Sequence, residues 1–514
     1  MTKLLKLILA TAAAACSIPG ARAEYPVNYT TEVMVNAGNG TFAPYYIASN
    51  RHGVLTQAKG IMARAALWRN LDKNKRFSYD FGLDLYGGGT NNTVYAKWDA
   101  TAGESNKGAW TTHPEHPANF WIQQAYASIK YRSLYLTAGI KDRSSYMLNP
   151  VLSSGDMVES GNARSVPQVR AGFIDFQDIP FTNHWLQIQG ELAYGLYCQN
   201  KWLENHFDYY TGVYNRNMLF NYKRIYFRTN PSKPFSATFG AQGAGLFGGT
   251  SYHYKNGKLA SVDKNATDLD AFWQALIPRI SGVEGYVQGQ HLGSWDIRLR
   301  YRLRNNAEIF GYVQNLWEDG SSMAKLNGWD GLWGLEYKAP QKGWLDGAVL
   351  EYLQTSNQSG PLHWDPADNQ GTSLNIGQAT GSDDYYNNGF YGPYANFGMA
   401  QGNPMLKSPI YYTDGGFRFH DTRVKAVHAG VTGTPYKGLS YRLLCSYRTS
   451  WGTYFLPYLE KKHSTSLLME ASYTPAKIPA LNIKGELGID HGELYGNVVG
   501  ACLTVSYSGL LNIF

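Results

Sequence analysis

Residues 295–304 read WDIRLRYRLR, with an arginine at every second position and a large apolar residue in each gap. On a helix, side chains two residues apart point about 200° from each other, so Arg298, Arg300, Arg302 and Arg304 would share no face. A strand resolves the pattern: alternation across the pleat puts Trp295, Ile297, Leu299, Tyr301 and Leu303 on one surface and Asp296 with the four arginines on the other. The apolar surface then covers either a protein core or lipid.

The same alternation recurs along the chain. In WLQIQGELAYGL (185–196), Leu186, Ile188, Leu192, Tyr194 and Leu196 oppose Gln187, Gln189 and Glu191. In LYLTAGI (134–140), Leu134, Leu136, Ala138 and Ile140 oppose Tyr135 and Thr137, and the preceding QQAYASIKYR places Ala125, Ala127, Ile129 and Tyr131 together, with Arg132-Ser133 as a hairpin link. Asn305-Asn306 marks another hairpin. The final segment, ACLTVSYSGLLNIF, sets Ala501, Leu503, Val505 and Tyr507 against Cys502, Thr504 and Ser506, and its terminal Phe514 resembles the sorting signal that outer-membrane barrels present to their insertion machinery.

Composition favours lipid over a soluble core. Aromatics make up 14% of the chain, with 39 tyrosines and 55 glycines, while charged residues are only 17%. Beyond the N-terminus no apolar run is long enough for a membrane helix. A transmembrane barrel fits both facts, because its strands need one lipid-facing side and its tyrosines form interface girdles. The expected fold is all-β: a single antiparallel transmembrane barrel over 24–514, with long extracellular loops. A secreted soluble β-protein is the competing reading, and it leaves the Arg-, Gln- and Tyr-rich polar faces unexplained.

Residues 1–23 carry Lys3 and Lys6, an apolar run and Ala21-Arg22-Ala23, which is the pattern of a cleaved secretory signal; Cys16 as a lipidated terminus fits less well, since Ala13-Ala14-Ala15 precedes it. Losing Lys3, Lys6 and Arg22 lowers the formal charge from +7 to +4, too little to point to nucleic acid. Cys198, Cys445 and Cys502 are too few and too scattered for a disulfide framework or a metal site. No G-x-S-x-G, P-loop or H-E-x-x-H motif occurs, so neither an enzyme nor a cofactor is expected, and His113-Pro114-Glu115-His116 reads as solvated loop rather than a metal site.

Two regions resemble the capsule assembly protein Wzi family, particularly its Bacteroidota members. The first is LSSGDMVESGNARSVPQV (152–169), in which Ser160, Gly161, Asn162, Ala163, Arg164 and Pro167 match and Ser165 replaces a usual proline. The second comprises Asn357-Gln358-Ser359-Gly360-Pro361, the stretch through Gly402-Asn403-Pro404, and TRVKAVHAGVTG (422–433). The resemblance implies a barrel of about 18 strands in a Gram-negative outer membrane that binds capsular or other surface polysaccharide as a lectin and helps attach it. Residues 24–514 leave about 27 per strand, ample against the roughly 9–11 that a spanning strand needs. The chain departs from the enteric members in lacking an N-terminal helical bundle and in carrying Met147-Leu148-Asn149-Pro150 where they have Trp-Trp-Gly-Pro.

The stretch from about Gly360 to Pro409 is the longest expected loop, with others near 100–120 and 250–270. Within it Trp364, Tyr385, Tyr386, Tyr391 and Tyr394 have the chemistry to stack on sugar rings, and Asp365, Asp368, Asp383, Asp384, Asn387 and Asn388 to hydrogen-bond hydroxyls; the alternative is that the tyrosines pack the loop on the barrel rim and the carboxylates are solvated. The arginine row either pairs with acids on neighbouring strands or lines a path for anions, which makes an outer-membrane channel for anionic solutes the second functional reading. A hydrolase is the third.

Overall fold

Tyr25 stands opposite Ile513 and Gly38 opposite Gly500, so the first and last strands pair antiparallel along their length and the main sheet has no free edge. The computed structural model describes residues 25–103, 107–277, 289–318, 320–323, 325, 327–358 and 383–513. The expected signal segment with Cys16, together with Trp364, Asp365, Asp368, Ser359, Gly360, Pro361 and Phe514, lies outside the described residues.

Eighteen staves make the barrel, each bonded to its neighbours in sequence order. They are β1 (Tyr25–Gly38), β2 (Gly60–Arg69), β3 (Phe77–Thr90), β4 (Phe120–Tyr131), β5 (Leu134–Ile140) and β6 (Gln168–Phe173, resuming at Gln177–Asp178). Then follow β7 (Leu186–Leu196), β8 (Leu219–Thr229), β9 (Phe235–Phe247), β10 (Gln290–Arg302), β11 (Glu308–Trp317) and β12 (Gly331–Lys338). The circuit ends with β13 (Gly347–Gln354), β14 (Val424–Tyr436), β15 (Leu439–Gly452), β16 (Pro457–Tyr473), β17 (Leu481–Gly492) and β18 (Val498–Ile513). All pairings are antiparallel, and the expected hairpins at 132–133 and 303–307 join β4 to β5 and β10 to β11. Links at the end holding both strand termini are short, whereas the other end carries long segments such as 91–119, 141–167 and 355–423.

The two faces of β10 separate as the alternation requires. Ile297 is 46% exposed on the outside while Asp296, one residue back, is 1% exposed in the lumen. Leu134, Leu136, Ile129, Tyr131, Leu503, Val505 and Tyr507 continue the exposed apolar belt on other strands, and no helix among the described residues is long and apolar enough to span a bilayer. Exposed side chains of this kind on every side of a closed sheet need hydrocarbon around them.

Two sequence expectations are corrected. Arg304 does not line the lumen: β10 ends at Arg302, the Leu303 amide bonds the Ala307 carbonyl to close the turn, and Arg304 sits exposed in it. The stretches near 100–120 and 250–270 are largely structured, with Thr93–Asp99 paired to Ala109–Glu115, Thr250–Lys255 to Lys258–Lys264, and a helix at Leu269–Leu276.

Register is thereby held by charge as well as by hydrogen bonds, since a one-residue slip turns every lumen arginine toward lipid. Arginine in place of Ile297, near the middle of β10, is expected to cost about 2–4 kcal/mol and to lower sharply the yield of heat-modifiable barrel in membranes. Leucine in place of lumen Arg302, at the rim, leaves that yield unchanged in the same gel-shift assay.

Candidate functional site

The loop end of the lumen is filled. Segments 39–59, 141–167 and 383–423 turn inward, and Ile47, Leu152, Met157, Val158, Tyr386 and Leu406 from them pack on wall residues such as Tyr222, Leu316 and Leu353 in one buried cluster. Segment 141–167 is tied to the wall from β7 round to β15. Asp156 accepts from Gln242 (2.9 Å) on β9 and Gln314 (2.8 Å) on β11. Glu351 on β13 accepts from the Ser153 hydroxyl and the Ser154 amide, both at 2.7 Å. His428 on β14 contacts the Leu152 carbonyl (2.7 Å), and Arg442 on β15 donates to that of Val151 (3.0 Å). Arg143 pairs with Glu191 on β7 at 2.5 Å.

The residues singled out by resemblance are the joints of this plug. Asn162 accepts from the Asn50 amide (3.2 Å) and donates to the Ala400 carbonyl (3.0 Å), so one side chain links all three segments. Ser160 donates to Gly402 (2.7 Å), and Asn403 to Gly155 (2.6 Å). Gly161 accepts from the His52 amide (2.7 Å) and Pro167 from that of Leu196 (3.0 Å), while Ala163 is buried. Gly402 is required by close approach: a Cβ there would lie 2.1 Å from the Tyr386 hydroxyl. Farther along, Asp330 accepts from the amides of Asn357 (3.0 Å) and Gln358 (2.6 Å), which fixes the exit of β13. Burial raises the Asp330 carboxyl to about 6 despite those two amides.

The tyrosines expected to stack on sugars do not face solvent. Tyr385 and Tyr386 are fully buried and Tyr391 nearly so. The Tyr386 ring packs against Tyr394 (5.8 Å) and Phe419 (5.5 Å), and its hydroxyl donates to Met157 while accepting from the Asn403 amide (3.0 Å). Tyr385 accepts from Asn327 at 3.0 Å. This corrects the stacking role: the loop dips into the barrel mouth, and its rings and hydroxyls bind the plug. Asp384 is likewise a joint, accepting from Thr422 (2.6 Å) and Asn387 (2.9 Å) with Arg418 at 3.4 Å, and burial raises its carboxyl. Asp383 accepts from Ser322 at 3.2 Å. In the arginine row, Arg298 pairs with Glu336 (2.7 Å), and Arg300 and Arg302 lie 3.5 and 3.7 Å from Glu308. Glu308 stands on the adjacent strand β11, and Glu336 one strand farther on β12.

Above the plug, a cavity of about 400 Å³ lies between the 91–119 segment, the helix α1 (Asn200–His206) and residues 396–410. Its walls include Trp202, Phe397, Arg164, Glu115, Asn205 and Asn396. The Arg164 guanidinium is held between the Trp121 ring (4.2 Å) and that of Phe397 (4.8 Å). Tyr86 lies parallel to Trp121 at 5.4 Å, while on the outer side Phe397 meets Trp202 edge-on at 6.2 Å and Trp202 stacks parallel on His206 at 4.5 Å. Glu115 accepts from His206 at 2.7 Å and lies 3.8 Å from His113. The expected solvated loop at 113–116 is therefore partly the strand Ala109–Glu115, and no group of three or more metal-ligating side chains occurs among the described residues. Sequence reasoning missed Trp202, Phe397 and Trp121, which sit in unrelated local patterns and meet only in the fold. A second cavity of about 430 Å³ lies inside the barrel beside Arg64, Asp84, Arg442 and Lys484; there Arg64 pairs with Asp84 (2.7 Å), Arg442 with Glu470 (2.5 Å) and Lys484 with Glu486 (3.5 Å).

No family model and no curated protein matches the chain. Among solved structures, Wzi of Escherichia coli, described as an outer-membrane carbohydrate-binding β-barrel involved in group 1 capsule assembly, aligns over 99% of this chain and 88% of its own at 12% identity and a TM-score of 0.54. OccD3 of Pseudomonas aeruginosa aligns over 97% and 98% at 10% identity with a TM-score of 0.45, and OprD of the same species over 96% and 96% at 10% with 0.44. At such identities the likeness to Wzi shows a shared fold: the architecture is that of outer-membrane barrels.

Two outcomes test the plug. Tyr386→Phe leaves the buried Asn403 amide and Met157 carbonyl without a partner and is expected to weaken the plug by about 1–3 kcal/mol, read as faster amide exchange and proteolysis in 141–167 and 383–423 while the barrel keeps its heat-modifiability. Because the folded Asp330 carboxyl titrates higher than the unfolded one, its contribution is full below about pH 4 and is lost as pH rises through about 6. Opening of 355–358, followed by intrinsic-rate-corrected exchange, should therefore become harder from pH 7 to pH 5, and Asp330→Asn should flatten that dependence.

Proposed function

We propose that this chain is a surface-glycan-binding barrel of a Gram-negative outer membrane, delivered by a cleaved signal and inserted by the barrel assembly machinery. It holds capsular or other surface polysaccharide at the cell surface and catalyses no reaction. The observation that carries this reading is the plug. The loop half of the lumen is occupied by three packed segments, of which 141–167 is hydrogen-bonded to the wall from β7 to β15, and Arg298, Arg300 and Arg302 lie beside acids rather than standing free along a path. That arrangement obstructs an open path for solutes, whereas it gives a binding protein a rigid floor beneath its outer loops.

On that floor rests a cavity combining aromatic rings with amide and charged groups, the mixture that binds sugar rings by their apolar faces and their hydroxyls by hydrogen bonds. The E. coli barrel that shares the fold is itself described as carbohydrate-binding and involved in capsule assembly. The motif residues Ser160–Arg164, by which the sequence resembles that family, knit the plug together.

Deleting the gene should move polysaccharide from the cell-bound to the shed fraction several-fold, and a plasmid copy should restore retention. In planar bilayers the purified barrel should pass little current. Unchanged retention together with a large, anion-selective conductance overturns the proposal in favour of the channel.

A further inference from the structure

Arg51, Arg143, Arg224 and Arg298, all turned into the barrel, each have a carboxylate within ion-pair distance. Arg164 has none among the described residues, and its guanidinium makes no hydrogen bond there. The Trp121 and Phe397 rings lie 4.2 and 4.8 Å from it, and Arg164 lines the outer cavity. Burial without a counter-charge pulls its pKa down to about 10. The acid lining the same cavity, Glu115, is engaged by His206 at 2.7 Å, while the exposed Lys201 adds a second positive charge at the rim.

We infer that Arg164 is a binding residue for a carboxylate carried by the glycan, so that the polysaccharide held here contains an acidic, uronic-type sugar. The inference rests on the glycan-binding reading above. A guanidinium gripped by aromatic faces is fixed in orientation, and its planar fork matches a carboxylate through two parallel N–H···O bonds. One partly buried arginine with a single lysine among the lining residues suits a monoanion better than a phosphate dianion, which draws more positive groups around it. Trp202 and Phe397 supply apolar wall for the ring of that sugar, Asn205 supplies an amide for hydroxyls, and about 400 Å³ falls within the usual range of small-ligand sites, roughly 300–1,000 Å³.

The test uses the full barrel in detergent and two forms of the polysaccharide shed by the deletion strain: native, and carboxyl-reduced so that each uronic acid becomes a neutral hexose. Affinity is read by titration calorimetry for wild type, Arg164→Gln, Arg164→Lys and Trp202→Ala, each first shown to be heat-modifiable. The expected result is that wild type binds the native form more tightly than the reduced form by roughly tenfold or more, the scale of one charge-assisted hydrogen bond in a partly buried site. Arg164→Gln should abolish that preference, Arg164→Lys should retain part of it, and Trp202→Ala should weaken both forms alike. Equal binding of native and reduced glycan by wild type overturns the inference while leaving glycan binding intact. A loss in Arg164→Gln that carboxyl reduction does not reproduce overturns it in favour of another anion, such as phosphate. Failure of wild type to bind either form overturns both this inference and the function it rests on.

Discussion

A backbone amide left unpaired in hydrocarbon costs several kcal/mol, and this constraint governs everything else in the molecule. The pairing of β1 with β18 removes both edges at once and turns a long sheet into a closed wall. Closure then dictates the side-chain pattern, because each strand has one face toward lipid and one toward the lumen, and only alternation serves both. The arginines of β10 are therefore products of topology: they are allowed because the wall gives them a polar side, and they are held there because acids on β11 and β12 share it.

The wide lumen that eighteen strands enclose sets the second problem, and the plug answers it. Segment 141–167 supplies hydrogen-bond partners to buried polar groups of the wall: Gln242, Gln314, Glu351 and His428 each bond to it. Each such group left unpaired would cost about 1–3 kcal/mol, so wall and plug depend on each other. The segments also emerge at the loop end at fixed points, which lets Arg164 of the plug, Trp121 of the wall and Trp202 of α1 join in one chain of contacts through Phe397.

What the sequence disclosed follows from how local each signal is. Alternation in WDIRLRYRLR, in 185–196 and at the C-terminus involves neighbours two residues apart, so faces and hairpins were legible without knowing the rest of the fold. The outer hairpin 250–264 was expected as loop, although Asn256-Gly257 is a strong turn signal, because its polar surroundings lack the apolar alternation of the wall strands. Tyr385 and Tyr386 could not be placed, because an aromatic in a long loop packs a plug or meets a ligand according to where the loop travels, and that depends on Met157 and Asn403 elsewhere in the chain. The cavity around Arg164 was invisible for the same reason: its members come from five distant segments, 53–57, 95–118, Arg164, 201–205 and 396–410.

The plug also sets a timetable. The hydrogen bond from Tyr386 to Met157 joins residues 229 apart, and that from Asn403 to Gly155 joins residues 248 apart. Segment 141–167 has no plug partner from the third segment until residues 383–423 are in place, and contacts of such long span are intrinsically slow to form. The interior is thus sealed late, after β13 has been laid down. A chain stalled before that point is an unsealed wall, and the same joints that fix the finished molecule distinguish it from every incomplete one.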